Sequence, residues 1–480
     1  MTFDFRSFAL QKLAGIAPRY LPFADVATAD VSLARLLRLS LFQVTVGMAL
    51  VLLVGTLNRV MIVELAVPAT LVAGMLALPL LFAPFRALIG FRSDAHVSAL
   101  GWRRVPFIWK GTMYQFGGFA IMPFALLVLS GYGEAVDAPR WIGLSSAALA
   151  FLLVGAGLHM VQTAGLALAA DLVRDEDHPK VVGLMYVMLL LGMVAAALIY
   201  GALLENYSPG RLIQVIQGSA VLTVAINLFA LWKQEARDRQ RAAKMARAPR
   251  ASFRAAFSAL LSTDGTVRLL AVIALGTFGF GMADVLLEPY GGQALGFSVA
   301  QTTKLTALLA AGTLLGFALA ARRLGSGGVP AKLALVGAAV GIPGFLAIIA
   351  SATFVGAPLF LAGTLTTGLG AGLFGHATLT AAIRVAPKGQ VGLYLGTWGA
   401  VQATSAGIGI AVAGIVRDIL VVYGLAGADA LHRPYIAVFT IEIVFLALAV
   451  LAAIPLVGPK GRRHAEPLPA KAHTNSVEVP

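Results

Sequence analysis

An all-α membrane bundle of twelve transmembrane helices, in two pseudo-symmetric six-helix halves, is the fold that the sequence predicts, and three observations predict it. Of 480 residues, 59% are hydrophobic and only 12% charged, and the mean hydropathy is +0.86; a water-soluble domain needs far less apolar matter. Apolar windows of spanning length recur twelve times, each supplying the roughly 20 residues that a hydrocarbon core of about 30 Å demands. Finally, "GAGLHMVQTAGLALAADLVRDEDHPKVVGLMY" (155–186) is echoed by "GAGLFGHATLTAAIRVAPKGQVGLYL" (370–395). Each is the end of one span, a turn and the start of the next. Span four therefore matches span ten and span five matches span eleven, an offset of six helices.

The elements follow in order. Residues 1–36 form a cytoplasmic lead with Arg6, Lys12, Arg19 and Arg35 scattered among short apolar clusters. It has no uninterrupted apolar region or small-residue cleavage site of a signal peptide. Phe3, Phe5, Phe8, Leu10, Leu13 and Ile16 fall roughly on one side of a helix, so the lead reads equally as an interfacial amphipathic helix or a loosely ordered arm. The first half, 37–232, holds spans near 39–64, 67–89, 105–130, 141–170, 181–203 and 212–232. A basic linker, 233–266, joins it to the second half, 267–457, with spans near 267–289, 300–321, 332–352, 357–383, 391–416 and 435–457. Residues 458–480 are a tail.

Charge orients the bundle. With the N-terminus in the cytoplasm, only Arg59, Arg140, Arg211, Lys304, Arg417 and Arg433 of the 36 basic residues face the other side. Both termini are therefore expected in the cytoplasm. The net charge of +14 needs no nucleic acid: a basic face attracts anionic lipid headgroups, and the 233–254 block serves as an orientation determinant. No cysteine occurs, which removes disulfides and thiolate chemistry.

Between spans two and three lies "GFRSDAHVSALGWRRVP" (90–106). Its Gly90, Asp94, Gly101, Arg103 and Arg104 resemble the signature loop of the major facilitator superfamily, which acts as a latch between conformations. Gly lets a helix end approach its neighbour, the Asp accepts from a helix N-terminus, and the arginines reach headgroups or carboxylates. Ala95 stands where that pattern has a basic residue, and about four extra residues precede Gly101 by alignment to it. His96 is read as pairing with Asp94 or facing solvent.

These departures, with "FAPFRALIGFRSDAHVSALGWRRVPFIW" (82–109), "LEPYGG" (287–292) and "GTWGAVQA" (396–403), resemble the bacteriochlorophyll-delivery branch of that superfamily, the PucC/LhaA-type proteins of phototrophic purple bacteria. The resemblance runs from about residue 35 to residue 457. It implies a non-enzymatic twelve-helix protein of the inner, intracytoplasmic photosynthetic membrane that assists assembly of light-harvesting complexes. Bacteriochlorophyll is then the cargo, and antenna polypeptides, the reaction centre or pigment-synthesis enzymes are the partners, alongside membrane lipids. The long lead and tail resemble the subtype that serves the core antenna.

The span interiors are poor in ionisable groups, each of which is costly at mid-membrane. Spans four, five, six, nine and ten have no Lys, Arg, Asp or Glu in their middles. Asp284, Glu288 and Glu442 remain, toward the outer half, with Arg59 and Glu64 near the outer end of span one. Such an interior suits an apolar or amphiphilic ligand. Asp284 and Glu288 lie one turn apart on one face, and Pro289 predicts a helix break beside them with freed carbonyls, which sets them apart from a satisfied interhelical bond; for Glu442 such a bond is an equal reading.

His159 in span four and His376 in span ten are candidate axial ligands for the magnesium of a bacteriochlorophyll, with Gln162 and Gln402 as further oxygen donors. The plainer reading is again interhelical hydrogen bonding. The 52 glycines bring helices close, as packing in lipid requires, and a flat glycine wall also fits a planar macrocycle or an antenna helix. Trp102, Trp109, Trp141, Trp232 and Tyr290 are expected as headgroup anchors. No nucleophile triad, phosphate loop or metal-binding histidine pair is present, and "RDEDHP" (174–179) is too short to hold a magnesium–diphosphate site alone. Besides a pigment-escorting assembly factor, two other readings stay open: a proton-coupled secondary transporter, and a non-transporting scaffold for antenna subunits.

Overall fold

The computed structural model describes residues 31–457, apart from 82–88, 90–92, 94–101, 132–134, 136, 175–177, 236–257, 259, 264, 353–355, 386–390 and 424–430. Within these residues eleven helices are long and apolar enough to cross a membrane. They are α1 (Leu33–Glu64), α3 (Val105–Ser130), α4 (Arg140–Asp171), α5 (His178–Leu203), α6 (Pro209–Leu231), α7 (Thr266–Leu295), α8 (Val299–Gly325), α9 (Pro330–Ala350), α10 (Ala357–Val385), α11 (Val391–Val422) and α12 (Arg433–Val457). A shorter helix, α2 (Ala69–Leu81), occupies the place of span two, whose continuation falls in 82–88, outside the described residues. The twelve expected spans thus have helices at their places, and residues 31 and 457 lie on one face, called here the terminal face.

The six-helix offset of the sequence repeat reappears as packing. α3 lies along α4 as α9 lies along α10, α3 meets α6 as α9 meets α12, and α1 meets α5 as α7 meets α11. The halves join along two seams that the same offset exchanges, α2 with α11 and α5 with α8. α1 is the most enclosed span and reaches across to α7 and α8.

Small residues set the closest approaches. A Cβ on Gly316 of α8 would strike the Leu369 carbonyl oxygen of α10, and one on Gly372 of α10 would strike the Thr313 carbonyl oxygen of α8. Backbone on backbone is how helices gain dispersion contact where lipid supplies no hydrophobic drive. Polar side chains knit the first half likewise: Thr45 of α1 donates to Asn227 of α6 at 2.9 Å, and Asn227 donates to Thr112 of α3 at 2.9 Å.

Two expectations are corrected. Pro289 does not break α7, which runs on to Leu295 with Pro289 inside it; a Pro in a packed membrane helix is tolerated when neighbours occupy the freed carbonyls. Tyr290 is not a headgroup anchor but fully buried. Its hydroxyl donates to the Ile348 carbonyl at 3.2 Å and lies 3.1 Å from Ser351 Oγ, while its ring meets Phe360, Tyr435 and Phe439 edge-on. Trp109, Trp141 and Trp232 do stand outward. The lead (1–30) and tail (458–480) lie outside the described residues.

The α8–α10 contact gives a direct test. Gly372→Ala is expected to lower stability by about 1–3 kcal/mol through overpacking. Gly117→Ala, where nothing lies within 4 Å of the added carbon, is expected to be neutral or slightly stabilising, both read from thermal unfolding in detergent.

Candidate functional site

At the terminal face, the two arginines of the 90–106 loop are buried and face inward, away from headgroups. Arg103 Nη2 donates to Asp171 Oδ2 at 2.8 Å and Arg104 Nε to the same oxygen at 3.1 Å, while Arg104 Nη1 reaches Ser93 Oγ at 2.6 Å. The backbone amides of Arg103, Arg104 and Val105 all donate to the Glu235 carboxylate at 2.7 to 3.1 Å. Lys233, with φ at +52°, turns the chain after α6 and brings Glu235 back over this N-terminus. Four unsatisfied amides and a positive dipole end favour such an anion. Gln234 exchanges bonds with Arg35, at 3.2 Å from its Nε2 to the Arg35 carbonyl and 2.7 Å from Arg35 Nη2 to the Gln234 carbonyl. The arginines are thus fastened within the first half. Gly90, Asp94, His96 and Gly101 lie outside the described residues.

At the opposite face the halves are bonded to each other. Thr70 N at the start of α2 donates to Asp418 Oδ2 of α11 at 2.7 Å, and Arg417 pairs with Asp418 at 2.8 Å. Gln293 of α7 accepts from Arg417 at 3.0 Å and from the Tyr435 hydroxyl at 2.6 Å. In α1, Asn58 Nδ2 takes the Val54 carbonyl at 3.0 Å and the Val285 carbonyl of α7 at 2.8 Å. By entering the i→i−4 ladder this side chain accompanies a widening of α1 into π turns over Val51–Leu57 and Val60–Glu64. Arg59 pairs with Glu64 and donates from Nη2 to the Phe297 carbonyl at 3.0 Å. Thr56 and Thr303 hydroxyls meet at 3.1 Å. Nearby Tyr207, between α5 and α6, has its phenol pushed up to about 12, first by burial and then by the Glu64 charge, against the pull of Arg59. It stays neutral at physiological pH. Every hydrogen bond seen between described residues of the two halves belongs to this far side.

Between the faces, the acids part company. Glu288 is buried and accepts from Thr306 of α8, beside Gly55 of α1, where any Cβ would crowd the carboxylate. Asp284, one turn earlier, is half-buried on the helix that packs along α12, which carries Glu442. Glu442 is fully buried, and neither carboxylate oxygen has a hydrogen-bond partner. His159 is buried in α4 at 8% exposure, with Gln162 half-buried nearly a turn on. His376 is half-buried in α10; its ring lies 4.0 Å, centroid to centroid, from Phe317 of α8, and Nδ1 is enclosed without a hydrogen bond. Two residues later, Thr378 Oγ1 accepts from Trp398 Nε1 of α11 at 3.2 Å, which places α11, with half-buried Gln402, against the same stretch. A Cβ on neighbouring Gly375 or on Gly399 would meet nothing within 4 Å. Among the described residues no group of three metal-ligating side chains converges.

Sequence reasoning missed Asp171, Glu235, Asn58 and Asp418. Glu235 had a usable signal, an acid opening a basic stretch; Asn58 had one in being a carboxamide within an apolar span.

A family model described as "PUCC protein" matches residues 56–461. Protein PucC of Rhodobacter capsulatus is 65% identical over 460 residues, covering 95% of this chain and all of the relative. A more distant relative from the same species, named bacteriochlorophyll synthase 44.5 kDa chain, is 27% identical over 89% of this chain and 96% of its own length. Among solved structures, the bacterial homologue of the human lysosomal transporter Spinster, inward-facing and unoccupied, superposes with a TM-score of 0.64 at 16% identity. That match covers 88% of this chain and 96% of the other and bears on the fold alone.

The far-side closure predicts a crosslink. With no native cysteine to remove, the Thr56→Cys/Thr303→Cys double variant is expected to oxidise readily to a disulfide between the halves, seen as a mobility shift after proteolysis in the 236–257 linker. Neither single variant is expected to shift.

Proposed function

The chain belongs to the PUCC protein family, and on that premise we propose that it is a non-enzymatic assembly factor for photosynthetic light-harvesting complexes, one that binds bacteriochlorophyll and delivers it to nascent antenna polypeptides. The protein is multi-pass, and the proposal places it in the inner, intracytoplasmic photosynthetic membrane with the terminal face in the cytoplasm. The side on which 30 of the 36 basic residues fall by this topology then meets anionic lipid. The division into two lobes around the 233–266 linker is part of the same reading. So is recruitment of antenna polypeptides, with the reaction centre or pigment-synthesis enzymes as further partners. The core-antenna expectation rests on the lead and tail, of which residues 1–30 and 458–480 lie outside the described residues.

One observation carries the reading: the middles of α4 and α10 present imidazole and amide groups where carriers of hydrophilic cargo present charge. The residues fit the pigment. A chlorin magnesium takes one axial ligand, and an imidazole in dry surroundings supplies it. His376 has its Nδ1 enclosed and unbonded, so Nε2 is the nitrogen turned to the more open side, with Phe317 against its ring and the bare Gly375 backbone beside it. His159, Gln162 and Gln402 are further donors in the same reading. The open positions at Gly375 of α10 and Gly399 of α11 leave room for a flat ring or for the single helix of an antenna polypeptide.

Buried acids on α7 and α12 favour a second reading, a proton-coupled transporter. The two are separated by purification in mild detergent from a phototrophic host: escort predicts bound pigment and attached antenna polypeptides, transport predicts neither. A scaffold would retain the polypeptides without pigment. His376→Phe is expected to cut bound pigment several-fold with expression and thermal stability unchanged, measured by absorbance of the purified protein. Unchanged pigment removes His376 from the site.

A further inference from the structure

Among the described residues, Glu442 is a fully buried acid with no partner for either carboxylate oxygen. It sits in the middle of α12 with Oε1 and Oε2 both enclosed. Its surroundings are apolar. The backbone at Gly279 of α7 packs against this turn and Leu446, the tilted rings of Phe278 and Phe445 lie 4.2 Å apart, and Phe345 lies 6.2 Å from Phe439. An ionised carboxylate with no donor and no counter-charge is among the costliest arrangements a membrane interior offers. A protonated one is tolerable, because a neutral acid forfeits only hydrogen bonds.

The charged and titratable groups on the helices packed around it leave one candidate partner. On α7 they are Arg268, Asp284, Glu288 and Tyr290; on α11, Tyr394, Arg417 and Asp418; on α9, Lys332 at its start; on α12 itself, Arg433 and Tyr435. Arg417, Asp418 and Tyr435 are tied to one another and to Gln293, Glu288 is turned to Thr306, and Tyr290 to Ser351. That leaves Asp284, which lies about a turn and a half beyond Gly279, the point at which the α7 backbone packs against the Glu442 turn. Asp284 is the accessible member, half-buried and without a side-chain hydrogen bond to the described residues, and its own carbonyl stands 3.5 Å from Asn58 Nδ2 of α1, at the contact between the halves.

We propose that Asp284 and Glu442 form a binding site for one exchangeable proton, held on Glu442 at neutral pH and exchanged with water through Asp284. Two neighbouring carboxylates in one dry site cannot both stay charged, and the more enclosed one keeps the proton. Loading is a proton transfer only: the proton passes from water to the Asp284 carboxylate and on to Glu442, leaving Asp284 ionised again. The site is distinct from the pigment reading and stands or falls without it.

Infrared spectroscopy of the purified protein in lipid nanodiscs tests this. At neutral pH the wild type is expected to show the C=O stretch of a protonated carboxyl that is absent from Glu442→Gln and that shifts on transfer to deuterated water. In Asp284→Asn the stretch persists but its shift is several-fold slower. Absence of a protonated-carboxyl band in the wild type, or its survival in Glu442→Gln, overturns the site. Unchanged exchange in Asp284→Asn overturns the route. Should Glu442→Gln fail to fold, the wild-type band and the Asp284→Asn exchange rate still decide the matter.

Discussion

A helix that begins inside an apolar assembly has lost the water that would satisfy its first amides, and the structure answers that need with carboxylates from elsewhere in the chain. Glu235, 130 residues away in sequence from Val105, accepts three amides at the start of α3. Asp418, 348 residues from Thr70, accepts one at the start of α2. These bonds are short, charge-assisted and aimed along a favourable dipole. The first fixes α6 to α3 within one half; the second fixes α2 to α11 between halves. The arginine cluster around Asp171 and the seams themselves depend on the helix ends being held in these positions.

The same shortage of partners explains what could be read from the sequence and what could not. Hydropathy, the positive-inside bias and the repeat at 155–186 and 370–395 depend on local composition, and they placed the helices and the six-helix offset. α3 begins at Val105 and α12 ends at Val457, where the apolar windows began and ended. Long-range pairing leaves no local trace. Nothing near Arg103 announces Asp171 and nothing near Thr70 announces Asp418, so the arginines read as reaching headgroups or carboxylates without a named partner. Tyr290 and Pro289 were misread for a related reason: a residue rule about span ends was applied to α7, which continues a further turn and a half to Leu295 and carries both inward. Among the candidate site residues, the bond between Glu288 and Thr306 follows from which neighbours pack there, which periodicity does not encode.

Polar groups in the interior fall into two kinds. Asn227, Thr112, Thr45, Asn58 and Tyr290 bond across helices and hold the bundle together. His376 and Glu442 each leave enclosed polar atoms without a hydrogen bond. Native interiors rarely tolerate such atoms, and where they persist they mark either a ligand not yet in place or a protonation state that removes the charge. Those two explanations suit the imidazole and the carboxyl respectively, and they lie on different helices of the second half.

Among the described residues, the hydrogen bonds between the halves stand at the far side, where α1 and α2 meet α7, α8 and α11. A pair of lobes stapled along one rim can only part like a clam, about that rim. Parting would draw α2 from α11 and α5 from α8 at their opposite ends, and both slits would face hydrocarbon. A flat, oily guest could then slip in edgewise from the neighbouring leaflet and leave the same way, without ever being wetted.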